Sequence, residues 1–134
     1  DKGTAVETIR PDATIADATD RLKTKRIGVL VVSANGTSVD GIISERDIVS
    51  GLADYGASLL DQRVEALMTR AVKTCSAEDT VISVMELMTD RRIRHVPVVQ
   101  DGALAGIVSI GDAVKSRLQE LESEASHLRD YINT

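Results

Sequence analysis

The sequence contains an internal repeat, which constrains the fold more than any other feature of the chain. Val6-Glu-Thr8 recurs as Val72-Lys-Thr74, 66 positions later, and Gly41-Ile42 recurs as Gly106-Ile107, 65 positions later. The slip of one residue falls in a polar turn, and turns tolerate an insertion better than packed elements do. The chain therefore divides into a first copy (residues 1–63), a second copy (64–118) and a tail (119–134).

Each copy shows the same order of predicted elements. A short extended segment leads to Thr14 or Thr80, and threonine favours the position that caps the start of a helix. Two β-rich runs follow, joined by a turn that contains Asn-Gly or Asp-Gly, and a second helix begins near Asp47 or Asp112. The predicted strands are Val6–Ile9, Val29–Val32 and Val39–Ser44 in the first copy, and Val72–Cys75, Val96–Val99 and Leu104–Ser109 in the second.

This βαββα order indicates a fold class. The first helix of each unit places apolar side chains on one face, namely Ile15, Ala18 and Leu22, and then Val81, Val84, Met85 and Met88. One unit alone encloses too little core to be stable. We therefore predict an α/β (α+β) fold in which two units pack about a pseudo-twofold axis, followed by a long C-terminal helix.

Composition excludes several classes of function. The formal net charge is −5, which argues against a nucleic-acid partner. The single cysteine rules out an internal disulfide, and the two histidines, His95 and His127, do not have the spacing of a zinc site. No apolar run approaches the length of a membrane span and no signal peptide is visible, so we expect a cytoplasmic protein. With two tyrosines, no Phe and no Trp, the chain has to grip any flat ligand between aliphatic side chains.

One motif recurs near the end of both copies. A strand ends, Ser44 or Ser109 follows, and Asp47 or Asp112 stands three residues later at the start of a helix. Two interpretations of this Ser-x-x-Asp motif are open. The serine and the aspartate can satisfy each other's backbone donors as a helix-capping box. Alternatively, free amides and the hydroxyl bind a phosphate while the carboxylate accepts from both hydroxyls of a ribose.

The pattern Gly-apolar-apolar-Ser-x-x-Asp, at the end of each of two tandem units, resembles the cystathionine-β-synthase (CBS) domain pair, also called a Bateman module. Val64-Glu-Ala-Leu-Met-Thr69 and Arg92-Ile-Arg-His-Val-Pro-Val-Val99 support the likeness, which runs from about residue 3 to residue 118. The resemblance implies a regulatory sensor, not an enzyme, that binds an adenine nucleotide in the clefts between the copies and signals to an unidentified regulated protein. AMP is the expected ligand, with ATP, NAD(H) and S-adenosyl compounds as alternatives.

The resemblance also implies which residues bind the nucleotide. Asp47 and Asp112 would each hold a ribose, with Ser44 and Ser109 near the phosphates. We call the cleft that contains Asp112 the Asp112 cleft and the one that contains Asp47 the Asp47 cleft. The adenine partners would be Thr8 and Ile9 in the Asp112 cleft. In the Asp47 cleft they would be Thr69, Thr74 and Cys75.

Phosphate contacts follow from the same resemblance. Arg94 and His95 stand where the family has residues that contact phosphate, and Arg46 adds a contact in the first cleft. In the first copy, Gly28 stands at the position equivalent to Arg94, so that copy has no basic group in the place of Arg94 and His95. We therefore expect the Asp112 cleft to prefer anionic ligands. Gly28 and Ile107 complete the set of predicted nucleotide-binding residues.

Further features of these side chains argue against catalysis, metal binding and redox activity. Neither serine of the two motifs is surrounded by a strained nucleophile elbow or an oxyanion motif, so we predict no catalytic residues, no catalytic cofactor and no metal. His95 has a structural alternative as a hydrogen-bonded histidine at a strand start. For Cys75 we prefer a small buried apolar residue to a redox thiol, and Met68, Met85 and Met88 are predicted to fill the core.

The tail continues an apolar rhythm. From Val114 the apolar positions are Leu118, Leu121, Ala125, Leu128 and Ile132, which is the spacing of a heptad seam. Two interpretations are open, a long helix that lies on its own domain and a seam between two chains. The second makes a homodimer an expected partner. It also leaves an alternative function, a ligand-independent scaffold for dimerisation or protein interaction.

Overall fold

The computed structural model describes residues 6–133, with the side chains of residues 6–125. The strands are β1 (Thr8–Ile9), β2 (Val29–Val32), β3 (Gly41–Ser44), β4 (His95–Gln100) and β5 (Ala103–Ser109). The helices are α1 (Ile15–Lys25), α2 (Glu45–Tyr55), α3 (Val64–Leu67), α4 (Val81–Arg91) and α5 (Ile110–Asn133), with a 3-10 turn at Gly56–Asp61. The two-copy α/β fold is confirmed, with the βαββα order complete in the first copy and αββα, without a full first strand, in the second.

The strands form one small sheet in each copy. In the first, β1 pairs parallel to β2 and β2 pairs antiparallel to β3, and in the second, β4 pairs antiparallel to β5. The predicted strand Val72–Cys75 is reduced to a single parallel bridge between Cys75 and Val98. Pro97 explains this, because its nitrogen carries no hydrogen and the next bond of the ladder, to the carbonyl of Lys73, does not form.

Helix caps confirm the equivalence of the copies. Thr14 accepts a hydrogen bond from the amide of Asp17 at 3.1 Å, and Thr80 accepts one from the amide of Ser83 at 3.1 Å. The capping box predicted at Thr14 is present. Each first helix also ends on a left-handed arginine, Arg26 and its equivalent Arg92.

The two cores are built unequally. The predicted face of α1 is buried as expected. The first core also contains Leu59 and Val64, both 0% exposed, which belong to the stretch that joins the copies. We call residues 56–69 the connecting segment. The second core is smaller and centres on Val84, Met88 and Val96.

Between residues 6 and 133, none of the helices combines the length and the apolar character that a bilayer crossing requires. α5 runs without interruption from the second copy into the tail. Leu118 and Leu121 are 56% and 43% exposed on it. Leu128 and Ile132, which complete the predicted seam, lie outside the residues whose side chains are described.

Candidate functional site

A cavity of about 440 Å³ lies between the two copies, and we call it the inter-copy cavity. The first copy contributes the start of β2, the end of β3 and the first turn of α2, and the second copy contributes the residues that precede β4. The lining residues are Gly28, Val29, Ile42, Ser44, Glu45, Arg46, Asp47, Thr69, Arg92, Ile93, Arg94 and His95.

The connecting segment brings the two copies together at this cavity. Thr69 pairs with Ile42 of β3 through two backbone hydrogen bonds, each of 2.9 Å, and so lies beside the first sheet. Gly28 also lines the cavity and lies close to Glu45, since a Cβ at this position would be 2.9 Å from Oε1 of the Glu45 side chain. The cavity is therefore bounded on the first-copy side by β3 and by the end of the connecting segment paired to it.

Ser44 and Asp47 form a capping box at the mouth of α2. The amide and the hydroxyl of Ser44 donate to Oδ2 of Asp47 at 2.8 and 3.1 Å, and the amide of Asp47 donates to Oγ of Ser44 at 3.3 Å. Oδ1 of Asp47 takes no hydrogen bond from the residues that the structure describes. The carboxylate can therefore cap the helix with one oxygen and bind a ligand hydroxyl with the other.

The second copy repeats this geometry. The amide of Ser109 donates to Oδ2 of Asp112 at 3.2 Å, and the amide of Asp112 donates to Oγ of Ser109 at 3.1 Å. The capping interpretation of the motif is thus realised in both copies. In the first copy, capping uses Oδ2 of Asp47 and is compatible with a ligand hydroxyl on Oδ1.

Positive charge is concentrated in the inter-copy cavity. Arg46, Arg92 and Arg94 line it, and in the described part of the chain none of the three forms a salt bridge. They face two carboxylates, those of Glu45 and Asp47. In a protein of formal net charge −5, this local excess of cations favours an anionic ligand.

His95 lies at the boundary between the two Ser-x-x-Asp motifs. It lines the inter-copy cavity and pairs with Ser109 across β4 and β5. Burial lowers the pKa of His95 below its ordinary value; the negative charge of Asp112 raises this pKa and the positive charge of Arg94 lowers it further. The net lowering of this pKa favours the neutral form of the His95 imidazole.

The structure groups the predicted phosphate residues differently from the sequence analysis. Arg94 and His95 were expected to favour the Asp112 cleft, but both line the cavity that contains Asp47. The preference of the Asp112 cleft for anionic ligands stays a prediction, because the repeat shows which residues are equivalent and not which cavity they line. Arg46 and Gly28 line this same cavity.

Only some of the predicted adenine partners lie in the cavity where they were expected. Thr69 lies in the inter-copy cavity as expected. Ile9, however, is 3% exposed in the first core, and the carbonyl of Thr8 accepts a hydrogen bond from Arg21. Neither lines the cavity that contains Asp112.

The remaining predicted residues lie away from the inter-copy cavity. Cys75 and Asp112 line a second cavity of about 270 Å³ within the second copy, and Thr74 and Ile107 line neither cavity. Burial, together with the charge of Asp79, raises the pKa of the Cys75 thiol. The side chain of Cys75 is 8% exposed, and the raised pKa favours the protonated thiol, as expected for a small buried apolar residue.

Arg92 and Glu45 line the inter-copy cavity but were not predicted to bind ligand. Arg92 was visible within the motif that supports the family resemblance, and its left-handed backbone, with φ 55°, matches that of Arg26. Among the described residues, no group of three or more His, Cys, Asp or Glu side chains is arranged to hold a metal ion.

Comparison with known sequences gives consistent matches. A family model described as CBS domain matches the chain twice, over residues 4–54 and 64–118. The chain is 38% identical over 125 residues to the CBS domain-containing protein CBSX3, mitochondrial, of Arabidopsis thaliana, which covers 90% of this chain and 61% of that protein. It therefore spans less than two thirds of that relative. It is 30% identical over 128 residues to the CBS domain-containing protein YhcV of Bacillus subtilis, covering 93% of this chain and 87% of that protein.

Solved structures resemble the fold over most of the chain. The CBS-domain containing protein ATU1752 from Agrobacterium tumefaciens is 46% identical, with a TM-score of 0.79, and the match covers 84% of this chain and 89% of that one. The CBS domain pair of protein MJ0100, in complex with 5′-methylthioadenosine and S-adenosyl-L-methionine, is 31% identical, with a TM-score of 0.74. That match covers 84% of this chain and 90% of the other.

Proposed function

This chain belongs to the CBS domain family and carries two copies of the domain in tandem, and from this premise we propose that it is a non-catalytic regulatory module that senses an adenine nucleotide. The nucleotide binds in the inter-copy cavity, with its ribose on Asp47 and its phosphate near the arginines. AMP is the ligand we expect. ATP, NAD(H) and S-adenosyl compounds share its adenosine and are the alternatives.

One observation carries this proposal. A carboxylate with an unoccupied oxygen, Asp47, lies in the same cavity as Arg46, Arg92 and Arg94, which form no salt bridges among the described residues. A ribose needs a hydrogen-bond acceptor and a phosphate needs charged donors, so the cavity offers both halves of a nucleotide its partner. Its volume of about 440 Å³ falls within the usual range of small-molecule sites.

The adenine ring has an aliphatic environment to enter. Val29, Ile42 and Ile93 line the inter-copy cavity, and the chain contains no Phe or Trp that would stack on a base. Apolar side chains of this kind enclose a flat ring by dispersion and by removal of its faces from water. The complex of the similar MJ0100 domain pair with two adenosine compounds supports adenosine as the recognised unit.

Signalling follows from the position of the cavity. A ligand there contacts Arg46 and Asp47 of the first copy, Arg94 of the second, and Thr69 of the connecting segment. It binds one relative placement of the copies better than others, and it therefore shifts the population toward that placement. The regulated protein then detects the altered surface of the pair or of its dimer.

A nucleotide panel tests the proposed function. AMP, ATP, NAD and S-adenosylmethionine are added to the chain, with adenosine as the uncharged control and GMP as the control for the base. A ligand present at 100 times its Kd stabilises the fold by about 2.7 kcal/mol. For a domain of this size that raises Tm by roughly 8 °C or more. A panel in which no adenine compound raises Tm, or GMP matches AMP, contradicts the proposal.

A second function, a ligand-independent scaffold, is favoured by a different observation. Val114, Leu118 and Leu121 are between 40% and 56% exposed on α5. An apolar stripe of this kind is characteristic of a surface that contacts another polypeptide. The scaffold predicts self-association without any response to nucleotides, so the panel above separates the two functions.

A further inference from the structure

The second cavity, of about 270 Å³, lies within the second copy and is separate from the proposed nucleotide site. We call it the second-copy groove. The repeat gives it a counterpart in the first copy, because its lining residues have equivalents 65 or 66 positions earlier. Val81, Val84, Val98, Val108, Ala113 and Ser116 correspond to Ile15, Ala18, Val32, Ile43, Ile48 and Gly51.

In the first copy, the equivalent groove is filled by the connecting segment. Leu59 and Val64 are 0% exposed there, and Leu67 packs against the same core. Gly51 marks the depth of the contact, since a Cβ on it would lie 2.7 Å from Cδ2 of Leu67 and 2.8 Å from Cδ1 of Leu59. Its equivalent in the second copy, Ser116, carries a side chain and lines the open groove.

Backbone hydrogen bonds hold the connecting segment in the first copy. The amide of Val64 donates to the carbonyl of Ala13 at 2.8 Å, and the amide of Ile15 donates to the carbonyl of Gln62 at 2.8 Å. Ala13 and Ile15 correspond to Asp79 and Val81, which both line the second-copy groove. The groove therefore presents the same backbone positions and the same apolar floor to an incoming polypeptide.

The aliphatic side chains at the base of the groove are exposed to different extents in the two copies. Ile15, Val32 and Ile43 are 0% exposed beneath the connecting segment. Their equivalents Val81, Val98 and Val108 are partly exposed. Aliphatic surface that one copy covers with a helical turn is thus left accessible in the other, and covering it removes apolar area from water.

We propose that the second-copy groove is a docking site for a short helical segment of a partner protein, with aliphatic side chains spaced like Leu59, Val64 and Leu67. The connecting segment of another chain of this protein is not the occupant, because in each chain that segment is already buried against the first copy. Asp79 stands at the rim where the first copy has Ala13. The partner segment therefore carries a basic residue next to its central aliphatic residue, as Arg63 stands next to Val64.

The probe for this site is a fluorescent synthetic peptide with the sequence of residues 56–69, titrated into the full chain and followed by anisotropy. The wild-type chain is expected to bind one peptide saturably. Ser116→Leu fills the groove and should weaken binding at least tenfold. Ser123→Leu, the same change at an exposed position of α5, should leave it unchanged.

Two further measurements do not depend on a groove variant. A peptide whose three equivalents of Leu59, Val64 and Leu67 are serine should not bind. The wild-type peptide should slow alkylation of Cys75, the single cysteine, which lines the groove. Lack of saturable binding overturns the proposal, as does equal binding by the serine peptide. Equal binding by Ser116→Leu, or unaltered alkylation of Cys75 at saturating peptide, also overturns it, because the peptide would then occupy another place.

Discussion

At the scale of single residues, Asp47 serves the fold and the proposed site with different atoms. Oδ2 accepts from the amide and the hydroxyl of Ser44, while Oδ1 takes no hydrogen bond from the residues described. The sequence alone left capping and ribose binding as competing interpretations of one motif. The structure removes the competition, since a carboxylate has capacity for both. It also shows that Arg94 lines the cavity that contains Asp47.

Arg94 is predicted to distinguish charged from uncharged ligands. A hydrogen bond to a charged group contributes roughly 1.5–3 kcal/mol, so Arg94→Ala should weaken AMP binding about tenfold or more. Adenosine, which lacks the phosphate, should bind Arg94→Ala as well as it binds the wild type. Calorimetric titration of both ligands measures the difference. Equal losses for the two ligands would place Arg94 away from the phosphate.

His95 is predicted to make stability depend on pH. Burial lowers its folded pKa below the ordinary value of 6.5. As pH falls through 6.5, the unfolded chain takes up a proton that the folded chain does not, so the wild type loses stability. Above 6.5 both states are neutral and this effect vanishes. His95→Gln should therefore unfold in urea with a smaller loss of stability between pH 7.5 and pH 5.5. Parallel pH profiles for the two proteins would show that His95 is not responsible.

At the scale of elements, local sequence signals predicted most of the structure. β2 agrees with its predicted range, and Thr14 and Thr80 cap their helices. Such features depend on neighbours in sequence, so a repeat and a capping pattern suffice to predict them. The connecting segment was not predicted to enter the first core, because tertiary packing rather than a local pattern puts Leu59 and Val64 there.

Leu59 provides a test of that packing. Its side chain is 0% exposed, and truncation of a buried leucine leaves a cavity that costs about 2–5 kcal/mol. Leu59→Ala should therefore lower the free energy of unfolding by an amount in that range. The adjacent Leu60 is 48% exposed, so Leu60→Ala is the matched control and should change stability by under about 0.5 kcal/mol. Similar values for the two variants in urea unfolding would mean that the connecting segment does not pack as described.

At the scale of the whole molecule, the repeat predicted two similar units, and the structure adds their inequality. The first copy is covered by the connecting segment, whereas the second continues into α5, with Val114, Leu118 and Leu121 exposed. A repeat reports what the copies share, so it could not predict which residues meet across the cleft. That arrangement depends on the path of the chain between the copies.

The tail is predicted to mediate self-association. Its apolar stripe continues at heptad spacing beyond Leu118, and burial of such a stripe against a second chain removes it from water. Ending the chain after Leu118 should lower the mass measured by light scattering from that of a dimer to that of a monomer. If the shortened chain keeps the full-length mass, the stripe packs within one chain or remains solvated.

The central claim, that a nucleotide binds between the copies with its ribose on Asp47, is tested most directly by titrating AMP into wild type, Asp47→Asn and Asp112→Asn. Asparagine keeps the size and much of the capping ability, so unliganded stability should change by less than about 1 kcal/mol. It also replaces an acceptor with a donor, which should cost two hydrogen bonds, roughly 2–4 kcal/mol of AMP binding, at Asp47. Asp112→Asn, whose side chain does not line the inter-copy cavity, should bind AMP like the wild type. Wild-type affinity in Asp47→Asn would contradict the account.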